Sequence, residues 1–332
     1  MKPLKKARKI GIWSVIFLVA FVYLNNSSLF VASRSQGPWL LAHRGLGQTF
    51  SMQGITSETN TAQRIYPPEH PYLENTIPSM AAAFRAGAAM VELDVHPTLD
   101  GQFAVFHDWI LNYRTNGTGT TREHTMAELK TLDVGYGYSA DNGKTFPFRG
   151  KGVGLMPSLT EVLERFPGRS FLIHVKSNDS NEGVLLAEFL KKLPPGRRAQ
   201  LAVYGGDQPI AALKQRLPKL RVMSKAGAKK ALIAYLAVGW TGYLPAGMRN
   251  TFLYLPLKYA RLLWGWPHRF IKRLNDAHSQ FAVVLGNGEW SEGFDTVASL
   301  RQLPPGYAGG IWTNRIDRIG AAVQRKKGDS SP

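Results

Sequence analysis

Cysteine is absent from the 332-residue chain. Its absence excludes a disulfide framework, zinc sites built on thiolates, and catalysis by a thiol nucleophile. It identifies no compartment, because cysteine-free proteins are compatible with oxidising and reducing surroundings alike. Hydrophobic residues make up 44% of the chain and charged residues 19%, a composition typical of a globular protein with one large domain or two small ones.

Acidic residues are scarce relative to basic ones, and the formal net charge is +18. No Asp or Glu occurs between Asp207 and Asp276. Basic residues in that stretch are Lys214, Arg216, Lys219, Arg221, Lys225, Lys229, Lys230, Arg249, Lys258, Arg261, Arg269, Lys272 and Arg273. Nucleic acid, anionic lipid and anionic substrates are therefore the candidate partners.

The N-terminus has basic residues followed by the apolar run Ile10–Leu24. This order is typical of a signal peptide or a signal anchor. Fifteen residues are short for a span of about 20, although the nearby LFVA segment can extend the run. The VAS sequence at Val31–Ser33 is a weak cleavage site, so we predict an uncleaved anchor with its basic flank in the cytoplasm and the rest of the chain on the extracytoplasmic side. A cleaved signal peptide and a buried helix are the alternatives.

From residue 39 onward, apolar runs of strand length alternate with helical patterns. Predicted strands lie in LLAHRG, MVELDVH, FAVFHD, SFLIHVKS, LAVYGG, RVMSK, FAVVLG and GGIWT. The pattern at 73–88 predicts a helix, and a Ser-x-x-Glu capping box at Ser158–Glu161 opens another. About eight strands alternating with helices predict an α/β fold, the (β/α)₈ TIM barrel. A doubly wound open sheet is the alternative, but no glycine-rich dinucleotide fingerprint follows the first strand.

The predicted organisation has an N-terminal membrane-anchor helix and one large domain. Its parts are a basic cytoplasmic flank (1–9), a transmembrane or signal-anchor segment (10–31), a linker (32–38) and a TIM-barrel domain (39–325). Within that domain, 46–73 and 226–268 are longer than ordinary connections, and we interpret them as insertions. Connections of such length inside a compact domain are often functional.

Ionisable residues concentrate in the run MVELDVHPTLDGQFAVFHD. In a strand, residues two apart share a face, so Glu92 and Asp94 point the same way and His96 follows if the strand persists. Two buried carboxylates on one face repel each other unless a cation lies between them, and hard oxygen ligands suit Ca²⁺ or Mg²⁺. His174 and Lys176 share a face of another strand by the same rule. Each of these residues taken singly is more often structural than functional.

Several motifs together resemble the glycerophosphodiester phosphodiesterase family over most of residues 39–320. They are HRG at His43–Gly45, ENT at Glu74–Thr76, the run Glu92–Asp108, LNYRTNGTG, GLMPSLTEVL (154–163) and GGIWTNRID (309–317). The resemblance implies a (β/α)₈ barrel that hydrolyses phosphodiesters of glycerol with a divalent cation.

The resemblance also implies a role for individual residues. His43 and His107 correspond to the family's general acid and base, and Arg44 and Lys176 to its phosphate-binding cations. Glu92 and Asp94 correspond to the metal-binding pair, with Glu74 at or next to the metal. The metal and the two cations would neutralise the charge that develops on the phosphoryl group, while two histidines move protons to and from the reacting oxygens.

Two positions depart from the family's pattern. His174 stands where the family has a glutamate ligand, so the site carries one negative charge fewer. An imidazole ligand favours Mn²⁺, Zn²⁺ or Co²⁺ over Mg²⁺ or Ca²⁺, or it weakens the site. VVLGNG (283–288) replaces a Trp-Thr-Val-Asn run in the region that shapes the substrate pocket.

The segment 231–270 is rich in aromatic residues. They are Tyr235, Trp240, Tyr243, Phe252, Tyr254, Tyr259, Trp264, Trp266 and Phe270. With the surrounding cations they resemble a surface that contacts an anionic membrane. A packed barrel helix and loop with solvated cations is the alternative. Aromatic side chains and cations can also bind single-stranded nucleic acid. Because the predicted anchor places the domain outside the cytoplasm, we expect no nucleic-acid partner.

The sequence therefore predicts a membrane-anchored, metal-dependent phosphodiesterase. It is expected to cleave glycerophosphodiesters to sn-glycerol 3-phosphate and an alcohol. One alternative is a lysophospholipase D, whose activity would rise with acyl-chain presentation. The other is a catalytically inactive barrel that binds phosphodiesters or lipids and has lost its metal site at His174.

Overall fold

A computed structural model describes residues 2–28, 31, 37–56, 58–288 and 292–328. The weak cleavage site at Val31–Ser33 and the predicted linker lie largely outside these described residues. The strands are β1 Trp39–His43, β2 Met90–Pro97, β3 Phe103–Val105, β4 Ser170–Val175, β5 Leu201–Gly205, β6 Arg221–Ser224, β7 Phe252–Pro256, β8 Gln280–Val284 and β9 Gly310–Thr313. The helices are α1 Lys2–Asn26, α2 Ile77–Arg85, α3 Met126–Lys130, α4 Leu159–Arg165, α5 Ser180–Lys191, α6 Pro195–Arg198, α7 Asp207–Arg216, α8 Lys225–Val238, α9 Leu257–Ala260, α10 His268–Asp276 and α11 Ile316–Gly328.

Eight parallel strands form a nearly closed barrel, which confirms the predicted fold. Their order is β6-β5-β4-β2-β1-β9-β8-β7. The two ends of this order face each other, and the Thr251 hydroxyl donates a hydrogen bond to the Val222 carbonyl across them (2.5 Å). The strands are buried on both faces, as parallel strands covered by helices must be.

The barrel uses a different set of eight strands from the predicted one. β3 pairs antiparallel with β2 and lies outside the barrel order, so FAVFHD forms a hairpin rather than a barrel strand. β7 completes the barrel from within 226–268, a segment that the sequence pattern indicates as an insertion. The run TFLYLPL is uniformly apolar, and such a run cannot be assigned to a strand by periodicity alone.

Helix α2 illustrates how local sequence sets the entry to the site. Thr76 caps the helix by accepting from the Ser79 backbone, and Pro78 lies in the first turn, where a missing N–H costs nothing. The cap fixes the end of the long connection 44–76. A second, smaller hydrophobic cluster packs this connection against the segment after β3; it contains Ala62, Ile65, Leu73, Leu111, Met126, Tyr138 and Phe148.

Helix α1 projects from the barrel with its apolar side chains in solvent, for example Phe17 at 72% exposure. Residues 8–26 are long and apolar enough to cross a membrane. A signal sequence has the same properties, but a buried core helix does not, because such a helix would be covered. That alternative from the sequence is therefore wrong for the described residues.

Candidate active site

The carboxylates of Glu92 and Asp94 lie side by side on β2 and are completely buried. Asp94 accepts hydrogen bonds from the Asn75 amide (3.0 Å) and from the His174 ring (2.8 Å). Glu92 accepts from the Arg44 backbone N–H (3.2 Å) and from the Tyr204 hydroxyl (2.7 Å). The two side chains therefore share the face that the spacing predicts, at the carboxyl-terminal end of the barrel.

The electrostatics of this pair are unbalanced. Burial, and secondly the charge of Asp94, raise the pKa of Glu92 to about 8. Burial also opposes ionisation of Asp94, but Lys176 and Arg44 hold the pKa of that carboxyl well below its usual range. The Nζ of Lys176 lies 3.6 Å and the Nε of Arg44 3.2 Å from Asp94 oxygens. The nearby cations therefore balance the charge of Asp94, whereas Glu92 has too little positive charge around it to favour its ionised form.

Glu92, Asp94 and His174 offer ligand atoms that all lie within 4.8 Å of one another. Two carboxylates and one imidazole are a donor set that suits a divalent cation, and Glu92 lacks a full counter-charge without one. Glu74, the fourth predicted ligand, lies outside this group of three. Its carboxylate pairs with Arg44 (3.0 Å) and Arg114 (3.4 Å) instead.

His43 ends β1 and presents one nitrogen to the site. The Asn314 amide nitrogen donates to Asp295 (2.8 Å), so its oxygen is the acceptor for the His43 Nδ1–H (2.6 Å). The unprotonated Nε2 then lies 3.8 Å from Glu92. Burial, followed by the charge of Arg44, holds the pKa of His43 well below its ordinary value, so the ring is a neutral proton acceptor.

His107 follows β3 and is held by a chain of charged partners. Its Nδ1–H donates to Asp108 (2.7 Å), and Asp108 is paired in turn with the guanidinium of Arg114. Arg114 is buried and also donates to the Thr61 hydroxyl (2.8 Å). Burial, then Arg44 and Lys176, lower the pKa of His107 to about 3. Both histidines are therefore oriented through Nδ1 and turn Nε2 towards the cavity.

Strained backbone marks the site. Arg44 and Asn75 adopt left-handed conformations (φ 55° and 58°), which cost energy for residues other than glycine. Each of them contacts the buried carboxylates from that conformation: the Arg44 N–H reaches Glu92 and the Asn75 amide reaches Asp94. These hydrogen bonds hold HRG and ENT against β2 and offset the energy cost of the two left-handed conformations.

A cavity of about 590 Å³ opens over these groups. One wall is polar and carries His43, His107, His174 and Lys176. Another wall comes from the connection after β1 and the segment after β3, where apolar side chains alternate with polar ones such as Thr56 and Glu58. Its apolar side chains are Phe50, Met52, Ile55, Trp109, Ile110 and Tyr113. The cavity therefore offers cations and imidazoles for a charged group and apolar side chains for a longer substituent.

The structure brings together all eight of the predicted site residues, while His96 lies elsewhere. His96 packs edge-on against Trp109 and lines a separate cavity. Tyr204, Asn314 and Asp295 are site neighbours that the sequence did not reveal. Asn314 falls in the GGIWTNRID motif, whereas Tyr204 in LAVYGG carries no motif signal.

Comparison with known proteins gives consistent matches. Residues 43–198 match the model of the "Glycerophosphoryl diester phosphodiesterase family". A glycerophosphodiester phosphodiesterase of Bacillus subtilis (strain 168) is 35% identical over 142 residues, which are 42% of this chain and 45% of that protein. A human lysophospholipase D is 27% identical over 202 residues, 59% of this chain and 60% of that protein.

A solved structure shares the fold. The phosphodiesterase of Oleispira antarctica, in complex with the product sn-glycerol-3-phosphate, superposes with a TM-score of 0.53 at 17% identity and covers 88% of this chain and 99% of its own. This chain spans less than half the length of the Bacillus relative and 60% of the human one.

Proposed function

Because this chain belongs to the glycerophosphoryl diester phosphodiesterase family, we propose that it hydrolyses glycerophosphodiesters to sn-glycerol 3-phosphate and an alcohol. The observation that carries the proposal is the arrangement of His43 and His107 around one cavity, with Arg44 and Lys176 beside them. The two cations attract the phosphodiester anion and stabilise charge that builds up on its oxygens.

A divalent cation at Glu92, Asp94 and His174 would supply further charge neutralisation to a phosphoryl oxygen. His174 is the residue that sets the identity of this cation, because imidazole suits Mn²⁺, Zn²⁺ or Co²⁺ better than Mg²⁺ or Ca²⁺. His174→Glu is expected to tighten Mg²⁺ and Ca²⁺ binding relative to Mn²⁺. Calorimetric titration of the purified protein with each metal tests this without any activity measurement.

The partners of the two histidines support an assignment of their roles. The carboxylate of Asp108 stabilises a protonated His107, whereas the neutral amide of Asn314 offers less to a protonated His43. His43 Nε2 accordingly takes the proton of the attacking water or substrate hydroxyl. Burial, Arg44 and Lys176 keep His107 neutral in the substrate-free site, and a bound phosphodiester anion offsets those two cations, so His107 takes up its proton together with the substrate. As the phosphorus–oxygen bond to the alcohol breaks, this protonated His107 gives its Nε2 proton to the departing oxygen.

Glycerol 3-phosphate release from glycerophosphocholine tests the activity. His43→Ala and His107→Ala are each expected to reduce turnover by about 10²-fold or more while the fold survives. His278→Asn is the matched control, because His278 is exposed at the opposite end of the barrel and asparagine tolerates its left-handed φ of 57°. Near-normal turnover in either alanine variant contradicts the proposal.

A substrate with a p-nitrophenol leaving group separates the two roles. That alcohol leaves without a proton, so His107→Ala is expected to recover much of its lost activity on glycerophospho-p-nitrophenol. His43→Ala is expected to stay impaired, since the nucleophile still requires a base. Recovery of the His43 variant instead would reverse the assignment.

A lysophospholipase D is the second candidate, and the apolar side chains of the cavity favour it. Phe50, Met52 and Ile55 can accommodate an acyl chain, and a human relative carries that activity in its name. Ile55→Asp is expected to impair cleavage of lysophosphatidylglycerol and to spare glycerophosphocholine. If Ile55→Asp cleaves both substrates as well as the wild-type protein does, this candidate is excluded. Binding of phosphodiester without turnover in any metal would instead indicate an inactive barrel.

A further inference from the structure

Helix α8 presents an unusual outer face. In its second half, Ile233 and Leu236 are exposed by 57% and 44% on neighbouring turns. One turn earlier, Lys229 and Lys230 are exposed on the same side of the helix. The face therefore changes from basic to apolar along its length, unlike the uniformly polar outer face expected of a barrel helix in water.

Residues after β7 extend this apolar surface. Leu262 is exposed by 68%, and Trp264 is exposed beside it. The Trp264 indole N–H donates to the Leu236 carbonyl (2.8 Å), and the Tyr235 hydroxyl donates to the Trp264 carbonyl (2.8 Å). These bonds hold the two segments together, and we call Ile233, Leu236, Leu262 and Trp264 the α8 patch.

The end of α1 is attached next to the α8 patch. The side-chain amides of Asn25 and Asn26 donate to the Trp240 carbonyl (3.0 and 2.9 Å), two residues beyond α8. Arg273 of α10 donates to the Asn25 carbonyl (2.9 Å) and the Asn26 side chain (3.1 Å). The polar C-terminal end of α1 is thus fixed to the barrel close to the C-terminal end of α8.

The charge around the α8 patch is of one sign. Residues 208–275 contain Lys and Arg but no Asp or Glu. A second copy of this chain would bring the same cations against each other in a symmetric contact, which is unfavourable. An anionic phospholipid surface offers the opposite charge to Lys229 and Lys230 and an apolar layer for the adjoining side chains.

We propose that the α8 patch inserts into the interfacial region of an anionic phospholipid bilayer, beside the point where α1 enters that bilayer. The proposal rests on α1 as the membrane anchor, and it goes beyond catalysis because none of these residues lines the active-site cavity. Apolar side chains of such a surface reach about 5–10 Å into the boundary between headgroups and acyl chains. The bonds of Arg273 to α1 set the orientation in which the patch meets the lipid.

A single-cysteine label tests the contact, and the absence of native cysteine makes the labelling specific. Leu236→Cys and Leu185→Cys are matched, because both leucines lie on outer barrel helices with 44% and 40% exposure. Each full-length variant carries a nitrobenzoxadiazole label in nanodiscs of phosphatidylcholine with phosphatidylglycerol. Spin-labelled lipid is expected to quench the Leu236→Cys label several-fold more than the Leu185→Cys label, and aqueous iodide is expected to quench it less.

Other outcomes overturn the proposal. Equal quenching of the two labels by iodide would mean that the patch stays in water. Protection of the Leu236→Cys label from iodide without quenching by lipid would mean that protein, such as a second copy, covers the patch. Glycerophosphocholine hydrolysis by the same labelled samples reports separately on the proposed activity, so failure of one proposal is distinguishable from failure of the other.

Arg273→Gln tests the orientation. Lys272→Gln is its control, since Lys272 is exposed, adjacent in sequence and bonded only to Asp276 on its own helix among the contacts of the described chain. Lipid quenching of the Leu236→Cys label is expected to fall in the Arg273→Gln background and to remain in the Lys272→Gln background. Unchanged quenching in both backgrounds would remove Arg273 from the proposal.

Discussion

At the scale of single residues, the site depends on side chains that orient the proposed catalytic and metal-binding groups. Asp108 orients His107 through Nδ1, and Tyr204 orients Glu92 through its hydroxyl. Tyr204 also stacks on the His174 ring, with ring centroids 4.1 Å apart and planes inclined by 11°. Neither residue needs to touch the reacting atoms, and each therefore has a predicted effect that differs from that of a catalytic residue.

Asp108→Asn is expected to lower turnover of glycerophosphocholine by about 10²-fold, because it removes the charge that stabilises a protonated His107. Although burial opposes ionisation, Arg114 and His107 hold the pKa of Asp108 far below its usual range, so the native residue is a carboxylate throughout the assay range. The loss should largely disappear with a p-nitrophenol leaving group. Asp276→Asn, on an exposed aspartate, is the control, and an equal loss on both substrates would exclude this orienting role.

Tyr204→Phe is expected to weaken metal binding by about 10- to 100-fold, the range typical of partners that orient a ligand. The variant keeps the ring that stacks on His174 and loses only the hydrogen bond to Glu92. Tyr307→Phe is the matched control, since Tyr307 is equally buried and donates one hydrogen bond to the Gly310 carbonyl (3.0 Å). Calorimetry with Mn²⁺ measures the affinities, and an unchanged affinity in Tyr204→Phe would contradict the prediction.

At the scale of elements, one acidic residue ties the long connection after β1 to the last helix. Glu69 pairs with Arg315 (2.6 Å) and with Arg318 of α11 (2.6 Å). The hydrogen bond from Arg315, followed by that from Arg318, lowers the pKa of Glu69 to about 2. The link joins the connection 44–76 to α11. Arg315 is buried, but Glu69 and Arg318 are about half exposed, so salt screens their attraction.

The lowered pKa gives this link a defined pH dependence. A carboxyl whose pKa is lower in the folded than in the unfolded chain stabilises the fold above the unfolded value and loses that effect as the pH falls. Glu69→Gln is therefore expected to lower the urea midpoint above about pH 5, with the difference from wild type shrinking towards pH 3. Glu164→Gln, on the exposed side of α4, is the control. A difference that stays constant with pH would indicate that ionisation of Glu69 is not its cause.

At the scale of the whole molecule, the predicted location of the barrel depends on whether α1 is an anchor or a signal sequence. If α1 is retained as an anchor, alkaline carbonate leaves the full-length chain in the membrane pellet. Intact mass should then include residues 1–26, whereas cleavage as a signal peptide would release a shortened chain into the soluble fraction. Protease added outside intact cells is expected to reach the barrel, because the basic flank before α1 favours a cytoplasmic N-terminus.

The sequence by itself determined the parts that depend on local order. Residue spacing in MVELDVH put Glu92 and Asp94 on one face, the alternation of strands and helices predicted the barrel, and the motifs HRG and ENT indicated the family. The distribution of charge and the apolar N-terminus followed from composition alone. These features need no knowledge of which strands pair, because the period of a strand and the polarity of a segment are local properties.

Tertiary structure alone decided the contacts between distant segments. His43 meets Asn314 across 271 positions and Tyr204 meets Glu92 across 112, and only the order and register of the barrel strands bring them together. The same holds for β7, whose uniformly apolar sequence became a strand because the barrel had an open edge between β6 and β8. Arg273 reaches the end of α1 across 248 positions for the same physical reason: tertiary packing, not local propensity, selects those neighbours.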